Sequence, residues 1–375
     1  MPPVLDKAPA AEDPTIPLRV ELGDRSYQIH LGPEALANAG RLIEAAAAPS
    51  SAFIITHPII DRLHGDVLRR GLRGFSFEII HVPAGERQKT LRRAAWLYDR
   101  LLELGADRSS AIIAFGGGVI GDLAGFVAAT YMRGVPYLQI PTTLLAQVDA
   151  SVGGKVAVDH PKAKNLIGAF YQPRLVLADS GVLRTLPARE YRSGLAEVVK
   201  HAVALDQALF LWLQQNAAAL ASRHPSAIAH AVRRSCEIKA EVVRRDERET
   251  GPRAILNLGH TVGHALETLA GYRSLRHGEA VAIGMVAAAR IAVSTGRLAP
   301  AVAAEIESLL HRFRLPVRSP AFRVDDIIAS LRADKKTLVG VPRFVLPRAI
   351  GDVESGVEVP EHTVADVLLS LGAAR

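Results

Sequence analysis

Strand-like and helix-like patterns alternate through the first half of the chain. Strand signals occur in runs rich in β-branched residues and bounded by glycine, proline or polar residues: SAFIITH, FEIIHVP, SAIIAFGGG, PYLQIPTTLL and PRLVLAD. Helix signals lie between them, as in TLRRAAWLYDRLLELGA, where apolar side chains recur every three or four positions before Gly105. The alternation predicts a mostly parallel sheet flanked by helices over residues 18–187, with an opening hairpin that turns at Gly23 and Asp24.

The pattern changes from about Pro187 onward. Helical periodicity then dominates, for example in AREYRSGLAEVVKHAVAL and SAIAHAVRRSCEIKAEVV, and a short strand signal appears only in RFVLP. We therefore predict a mainly α-helical domain over residues 188–375, which follows the α/β domain of residues 18–187 in the sequence. Residues 1–17 are rich in proline and alanine and are predicted to form a disordered tail.

Composition is typical of an ordinary globular protein. The chain has 375 residues, of which 49% are hydrophobic and 22% charged, and this length fits two domains. Since no apolar run is long enough to cross a bilayer and the first residues lack the apolar core of a secretion signal, we predict a cytoplasmic protein without a membrane partner. Its single cysteine, Cys236, fits a reducing compartment and falls in a helical pattern that predicts a buried thiol.

The net charge of +7 raises the question of nucleic-acid binding. However, lysine and arginine are spread along the chain, and aromatic residues make up only 5% and do not interleave with them. We therefore predict no nucleic-acid partner. A small anionic substrate explains the basic excess equally well.

The segment NLGHTVGHALETLAGYRSLRHGE contains three histidines and suggests a metal site. His260 and His264 are four residues apart, which places both rings on one helix face, and His277 follows near Glu279. A divalent metal, with zinc as the first candidate, and a pair of solvated or core histidines are both compatible with the spacing. The zinc-peptidase pattern is absent, because Thr261 follows His260 where that pattern has glutamate.

A glycine-rich turn, GGGVIGD, lies between a predicted strand and a predicted helix. Glycines there let the backbone approach a phosphate, and the helix start supplies amide donors. A tight structural turn is the alternative. Asp122 either holds a cofactor hydroxyl or caps the helix.

Residues 141–170 form a long polar segment that we predict to be a binding loop, with a solvated loop as the alternative. Lys155 and Lys164 are candidates for bracketing an anion there. Further along, Glu197 has apolar neighbours, where a carboxylate is costly unless it is paired or binds metal. A surface pair of Glu197 with Lys200 is the alternative. Lys239, Arg253, Lys335 and Lys336 are either solvated charges or, in one cleft, ligands for phosphate or carboxylate.

Taken together, these segments resemble the 3-dehydroquinate synthase family of sugar-phosphate cyclases. The matching strings occur in family order over most of residues 84–350: GERQKT, GGGVIGD, TYMRG, PTTLLAQVDASVGGK, KNLIGAFYQP, SGLAEVVKH, CEIKAEVV, DERETG, LNLGHTVGHALE, HGEAVAIGM and DKK. The resemblance implies a Rossmann-like α/β domain that binds NAD+ and a helical domain that binds metal and substrate. It also implies a homodimer.

The implied reaction converts 3-deoxy-D-arabino-heptulosonate 7-phosphate into 3-dehydroquinate and phosphate, as in aromatic amino acid biosynthesis. It would proceed by transient NAD-dependent oxidation, phosphate elimination, re-reduction, ring opening and aldol closure, which makes the enzyme a carbon–oxygen lyase. The alternatives are a valiolone- or inosose-type cyclase and a metal-dependent polyol dehydrogenase. The first is disfavoured because the substrate-binding cations have the dehydroquinate-type identities.

The resemblance also implies residue roles. The metal, Zn2+ or alternatively Co2+, would be held by Glu197, His260 and His277. Contacts to NAD+ would come from Glu86, Lys89, Gly117, Gly118, Val119, Asp122, Thr142, Thr143, Lys155, Lys164 and Thr185. Substrate contacts would come from Arg133, Asn165, Lys239, Arg253, Asn257 and Lys336, with Lys335 as the alternative to Lys336. Catalytic candidates are Asp149, Lys155, Lys200 and His264.

Two further expectations concern local structure. The spacing of Arg253, Asn257, His260 and His264 is helical, so these side chains are predicted to share one face. After the strand run SAFIIT, the family often carries Asp or Asn, whereas this chain has His57. This departure affects the predicted contacts to the adenosine ribose of NAD+ and leaves the predicted chemistry unchanged.

Overall fold

Seven strands form one sheet, and all of its neighbouring pairs except the first are parallel. The structure is a computed structural model that describes residues 17–333 and 341–375. The sheet strands are β1 Leu18–Val20, β2 Tyr27–Leu31, β3 Ala52–Thr56, β4 Phe77–His81, β5 Ala111–Gly116, β6 Tyr137–Pro141 and β9 Leu175–Ala178. Their order is β1-β2-β9-β6-β5-β3-β4. The predicted parallel sheet and opening hairpin are confirmed.

Helices fill the connections and most of the second half. In the first half they are α1 Ala39–Ala47, α2 Pro58–Ile60, α3 Asp66–Gly71, α4 Leu91–Glu103 and α5 Gly118–Thr130. In the second half they are α6 Ala188–Leu205, α7 Gln207–Ala221, α8 Pro225–Arg245, α9 His260–Leu269, α10 His277–Ser294, α11 Pro300–Arg312, α12 Val324–Ala333 and α13 Glu361–Ser370. A hairpin of β10 Arg343–Ala349 and β11 Asp352–Glu358 precedes the last helix. The helix-rich second half is as predicted.

The segment 141–170 differs from the predicted loop. A helical turn, Ala146–Ala150, is followed by an antiparallel hairpin of β7 Lys155–His160 and β8 Ala163–Phe170. The inner side chains Val156 and Val158 belong to the core, and Ile167 packs against it. The outer face mixes Lys155 and Lys164 with the exposed apolar side chains Leu166 and Phe170, so the sequence lacks the regular alternation of a half-buried strand.

Contacts divide the chain into two compact units. Residues 17–187 together with Ile228–Arg248 form the sheet unit. Ala188–Ala227 together with Glu249–Arg375, apart from residues 334–340, form the helical unit. The predicted boundary after residue 187 stays a prediction, and most of α8 clusters with the sheet unit.

The core of the sheet unit lies where α4 and α5 cover the parallel strands. It includes Ile55, Leu97, Ala114, Leu123 and Val127, all nearly or fully inaccessible. Each large aliphatic side chain buried in this way stabilises the fold by about 1.5–3 kcal/mol. The sheet is thus a firm support for the loops at the carboxyl ends of its strands, where ligands bind in open α/β sheets.

His57 follows β3 and caps the short helix α2. Its Nδ1 accepts a hydrogen bond from the backbone N–H of Ile59 at 3.0 Å. An imidazole therefore performs the capping function that Asp or Asn performs at other helix starts. Burial lowers the pKa of His57, which favours the neutral ring that such an acceptor requires.

Cys236 is fully buried in α8, as predicted, and its thiol donates to the carbonyl oxygen of Gln147 at 3.2 Å. Burial raises the pKa of this thiol to about 12. We therefore expect the native protein to resist iodoacetamide at about pH 8, because the reactive thiolate is scarce and covered. Mass spectrometry should find alkylation only after unfolding in guanidinium; labelling of the native chain at the rate of a free thiol would contradict this.

Among the described residues, no helix has both the length and the apolar character that a membrane span requires.

Candidate functional site

Three predicted metal ligands converge in the helical unit. Glu197 lies in α6, and His260 and His277 are the first residues of α9 and α10. One ligand atom from each lies within 4.8 Å of the others. The Nε2 atoms of His260 and His277 are 3.8 and 3.4 Å from Glu197 Oε1. One carboxylate and two imidazoles form a donor set that suits a divalent transition metal and leaves coordination positions for other ligands.

The other nitrogen of each histidine ring faces an acceptor. His260 Nδ1 is 3.2 Å from the carbonyl oxygen of Leu258, and His277 Nδ1 is 3.2 Å from Glu267 Oε2. Such partners fix the ring orientation and leave Nε2 for a metal. The sequence prediction did not assign Glu267 this role, although it follows His260 by seven residues and so lies on the same helix face.

The two histidine ligands have opposite electrostatic surroundings, and those of His277 favour a positive charge. Burial, reinforced by Lys200, lowers the pKa of His260 well below its ordinary value and keeps the ring neutral. Burial would also lower the pKa of His277, but its hydrogen bonds to Glu197 and Glu267 outweigh that effect and raise the pKa to about 10. The two carboxylates thus attract a cation, which either a proton on His277 or a metal ion can supply.

Glu197 and Lys200 form an ion pair inside the protein. Their side chains are 0% and 2% exposed, so the surface-pair alternative is wrong. The apolar residues around Glu197 bury the face of α6 that carries it. A buried carboxylate retained beside a cation in this way is costly for stability alone and therefore points to function.

His264 lies one turn beyond His260, with the two ring centroids 5.3 Å apart and nearly perpendicular. Its ring centroid is 6.5 Å from that of His277. It is partly exposed and does not belong to the three-residue ligand group. This placement fits the predicted division between ligands and a ring that faces substrate.

A glycine contact positions His277. The N–H of Gly278 donates to Ser193 Oγ at 2.9 Å, and a Cβ on Gly278 would lie 1.9 Å from the carbonyl oxygen of Ser193. Only glycine therefore lets the start of α10 approach α6 this closely.

We expect Gly278→Ala to lower the free energy of unfolding by about 1–3 kcal/mol and to reduce the bound metal, because the added methyl group forces His277 away from Glu197. Urea unfolding and metal analysis of the purified variant measure both effects. Unchanged stability together with full metal content would contradict this account of the contact.

The predicted continuous helix face from Arg253 to His264 is wrong. Arg253 and Asn257 lie on a separate 3₁₀ helix, Pro252–Asn257. The chain then breaks at Gly259, whose φ of +79° is left-handed, before α9 begins. Asn257 Nδ2 donates to Glu249 Oε1 at 2.8 Å, and Arg253 is only 2% exposed.

The glycine turn in the sheet unit connects β5 to α5. Gly117 is the helix N-cap in extended conformation, and it has no side chain that could cap the first amides. A Cβ there would lie 3.0 Å from Thr143 Cγ2. Thr142 is bound through its N–H to the carbonyl oxygen of Gly116, while its buried Oγ1 has no hydrogen-bond partner within residues 17–333 and 341–375. These features suit an anionic or hydroxyl-bearing ligand beside Gly118 and Val119.

Lys89 is the centre of a charge network in the same unit. Its Nζ lies 3.1 Å from both Glu86 Oε1 and Asp122 Oδ2, and it also donates to Asn165 Oδ1. Lys164 Nζ is 3.1 Å from Glu86 Oε1. Four predicted NAD+ contacts and one predicted substrate contact therefore lie together. The alternative that Asp122 caps α5 is wrong, because Gly117 is the N-cap and Asp122 lies inside the helix, where it pairs with Lys89.

The network shifts the pKa values of its members. Burial raises the pKa of Asp122 to about 6 against the opposing effect of Lys89. Burial alone would lower the pKa of Lys89, but Asp122, Glu86 and Asp159 raise it. Burial likewise fails to raise the pKa of Glu86, which Lys89 and Lys164 lower. Lys89 therefore stays charged and holds several acids in one place.

Asp149 and Lys239 form a second pair in the sheet unit. Lys239 Nζ is 2.6 Å from Asp149 Oδ1 and also donates to the carbonyl oxygen of the same residue. Lys239 is 6% exposed. The pair brings a predicted catalytic acid next to a predicted substrate cation.

The remaining predicted residues are more dispersed. Thr185 is exposed, with its Oγ1 2.7 Å from Nε2 of His64. Lys155 and Arg133 are exposed as well, and Arg133 has a left-handed φ of +67°. Lys335 and Lys336 lie outside the described residues.

Comparisons with known proteins agree with these observations. The family model described as 3-dehydroquinate synthase N-terminal matches residues 79–193, and the model described as 3-dehydroquinate synthase C-terminal matches residues 194–337. A 3-dehydroquinate synthase from Desulforamulus reducens is 47% identical over 354 residues, which cover 94% of this chain and 99% of the relative.

Two solved structures share the fold. One is 2-epi-5-epi-valiolone synthase from Streptomyces hygroscopicus with NAD+ and Zn2+ bound; its TM-score is 0.85 at 31% identity, covering 94% of this chain and 98% of that one. The other is 2-deoxy-scyllo-inosose synthase complexed with carbaglucose-6-phosphate, NAD+ and Co2+, with a TM-score of 0.86 at 26% identity and coverage of 95% and 99%. From the matched models and the relative, the chain belongs to the 3-dehydroquinate synthase family.

Proposed function

We propose that this enzyme converts 3-deoxy-D-arabino-heptulosonate 7-phosphate into 3-dehydroquinate and phosphate, using NAD+ and a divalent metal. The observation that carries the proposal is the cluster of Glu197, His260 and His277, with both Nδ1 atoms directed at acceptors, in a chain of this family. As a phosphate-eliminating cyclase it is a carbon–oxygen lyase.

The donor set fits a metal ion, with Zn2+ first and Co2+ second. When bound, the metal would lower the pKa of a substrate hydroxyl and polarise the carbonyl derived from it, and NAD+ would accept and return reducing equivalents. Glu197 supplies the anionic ligand, and Glu267 holds His277 for binding. Lys200 pairs with Glu197 inside the protein.

The glycine turn fits the phosphates of NAD+. The first amides of α5, which the N-cap Gly117 cannot cap, are donors for an anion, and Gly117 and Gly118 lack side chains that would hinder close approach to the backbone. Thr142 Oγ1 needs a partner that a cofactor can provide. Lys89 holds Glu86 and Asp122 near this turn, which suits them to contact ribose hydroxyls.

The substrate carries a carboxylate and a phosphate, so its site needs cations. We assign this role to Arg133, Lys155, Lys239, Arg253 and Lys336, with amide contacts from Asn165 and Asn257. Asp149 fixes the ammonium of Lys239. His264, Asp149, Lys155 and Lys200 are our candidates for moving protons.

Competing functions fit less well. The 3-dehydroquinate synthase from Desulforamulus reducens is 47% identical to this chain over 99% of the relative's length. The valiolone and inosose synthases are only 31% and 26% identical to it. The dehydroquinate-type cations also favour a substrate with a carboxylate. We further propose a homodimer in the cytoplasm, acting on a small phosphorylated acid rather than on nucleic acid.

Purified enzyme with NAD+ and Zn2+ should be incubated with the heptulosonate phosphate and, separately, with an analogue in which a hydroxymethyl group replaces the carboxylate. We expect 3-dehydroquinate by NMR with equimolar phosphate, and turnover of the analogue at least about 100-fold slower, because the analogue cannot form the ion pairs that the carboxylate would make with the cations of the site. Preferred turnover of the analogue would overturn the assignment in favour of another cyclase.

A further inference from the structure

Asp159 connects two segments of the sheet unit that carry predicted ligand contacts. It lies near the end of β7, and its backbone N–H donates to the carbonyl oxygen of Lys89 at 2.7 Å. A parallel bridge between Thr90 and Asp159 continues this contact. The β7–β8 hairpin is therefore attached to the loop that holds Lys89.

The side chain of Asp159 also fixes the backbone of Asn165. Asp159 Oδ1 accepts a hydrogen bond from the N–H of Asn165 at 2.9 Å. Asn165 has a left-handed φ of +51°, a conformation that non-glycine residues adopt at a cost and that needs local support. Its side chain reaches back to Lys89, whose Nζ donates to Asn165 Oδ1.

The charge of Asp159 matters less than this hydrogen bond. Asp159 Oδ1 is 3.7 Å from Lys89 Nζ, whereas Glu86 and Asp122 each approach that nitrogen to 3.1 Å. Lys89 therefore keeps two closer carboxylates when Asp159 is neutral. An amide oxygen at position 159 can still accept from the N–H of Asn165.

We propose that Asp159 is a positioning residue that holds Asn165 in its left-handed conformation and so presents the Asn165 amide to the substrate. This inference rests on the proposed function, in which Asn165 contacts the phosphorylated acid. Asp159 acts through Asn165 and Lys89 and does not itself need to touch substrate or NAD+.

The test compares Asp159→Ala with Asp159→Asn in the full-length enzyme. We expect Asp159→Ala to raise KM for the heptulosonate phosphate about tenfold, and Asp159→Asn to stay within about threefold of the parent. The Kd for NAD+, from quenching of protein fluorescence, should change less than about threefold in both variants, because Lys89 retains Glu86 and Asp122. Lys162→Ala, at an exposed position in the same hairpin, is the matched control.

Three results would overturn the proposal: an unchanged KM in Asp159→Ala, an equal defect in both variants, or a parallel loss of NAD+ binding and thermal stability. Hydrogen exchange separates this proposal from the proposed function. The measured group is the backbone N–H of Asn165. Faster exchange of this N–H in Asp159→Ala but not in Asp159→Asn supports the positioning role even if the parent enzyme does not turn over the acid phosphate. Equal exchange in all three proteins contradicts it.

Discussion

Replacing Glu197 with glutamine is expected to deplete the bound metal and to lower kcat/KM about a thousandfold, equivalent to about 4 kcal/mol. Glu197 is the only carboxylate in the described three-residue ligand group, and the amide removes its negative charge without changing its size. Lys200 would then lie buried beside a neutral group and would further disfavour a metal cation.

After dialysis against Zn2+, the number of metal ions per chain and kcat/KM should be measured for the variant and the parent. The matched control is Glu190→Gln, which changes an acid in the same helix whose side chain is 37% exposed and pairs with Arg276. We expect the control to retain its metal and activity. A Glu197→Gln enzyme with full metal content and parental kcat/KM would show that Glu197 is not a ligand.

The second large effect is expected from Lys89→Met, which keeps the length of the side chain and removes its charge. Glu86, Asp122 and Asp159 would lose their shared cation, and we expect the free energy of unfolding to fall by about 3 kcal/mol. Affinity for NAD+ should fall with it, since the glycine turn and its neighbouring acids would no longer be held together.

The loss of unfolding free energy in Lys89→Met should depend on pH in one definite direction. The folded-state pKa of Asp122 is about 6, above its ordinary value of 3.8, so the folded state binds a proton more tightly than the unfolded state. Lys89 lowers this pKa, so Lys89→Met raises it further and the variant takes up the proton at a higher pH than the parent. Lowering the pH toward about 6 should therefore reduce the stability deficit of Lys89→Met, because protonation relieves repulsion among the acids. Urea unfolding at several pH values checks this against Lys162→Met, an exposed lysine. A deficit that grows as the pH falls would contradict the network.

The main sheet could be predicted because its central strands have a simple pattern. β3, β5 and β6 are buried on both faces, so their sequences are continuous apolar runs. The hairpin β7–β8 resembles a loop in the sequence because charged residues such as Lys155, Asp159 and Lys164 interrupt its apolar positions, although Val156, Ala157 and Val158 are buried.

The metal cluster was predicted only in part from local spacing. His260 and His264 share a helix face, but the spacing alone does not show which ring turns toward Glu197, a residue of another helix. That choice came from the family resemblance, and the structure brings the same three residues together. Gly259 was an available signal for the helix break, because a left-handed glycine interrupts the periodic pattern.

The charge network around Lys89 could not be derived from periodicity. Its members lie in a loop, a helix and a hairpin, and each would be a solvated charge if considered alone. Tertiary structure gathers these partly exposed groups around the buried ammonium of Lys89. Asp159 was overlooked for the same reason, since its contact with Asn165 depends on the shape of a hairpin that the sequence did not reveal.

The most direct test of the central claim follows phosphate and NADH together during turnover of 3-deoxy-D-arabino-heptulosonate 7-phosphate by the enzyme with NAD+ and Zn2+. A synthase that uses its cofactor transiently releases one phosphate per substrate and accumulates no NADH. We predict continuous phosphate release with no net NADH absorbance over many turnovers. NADH formed in proportion to substrate consumed would instead identify a polyol dehydrogenase and contradict the account.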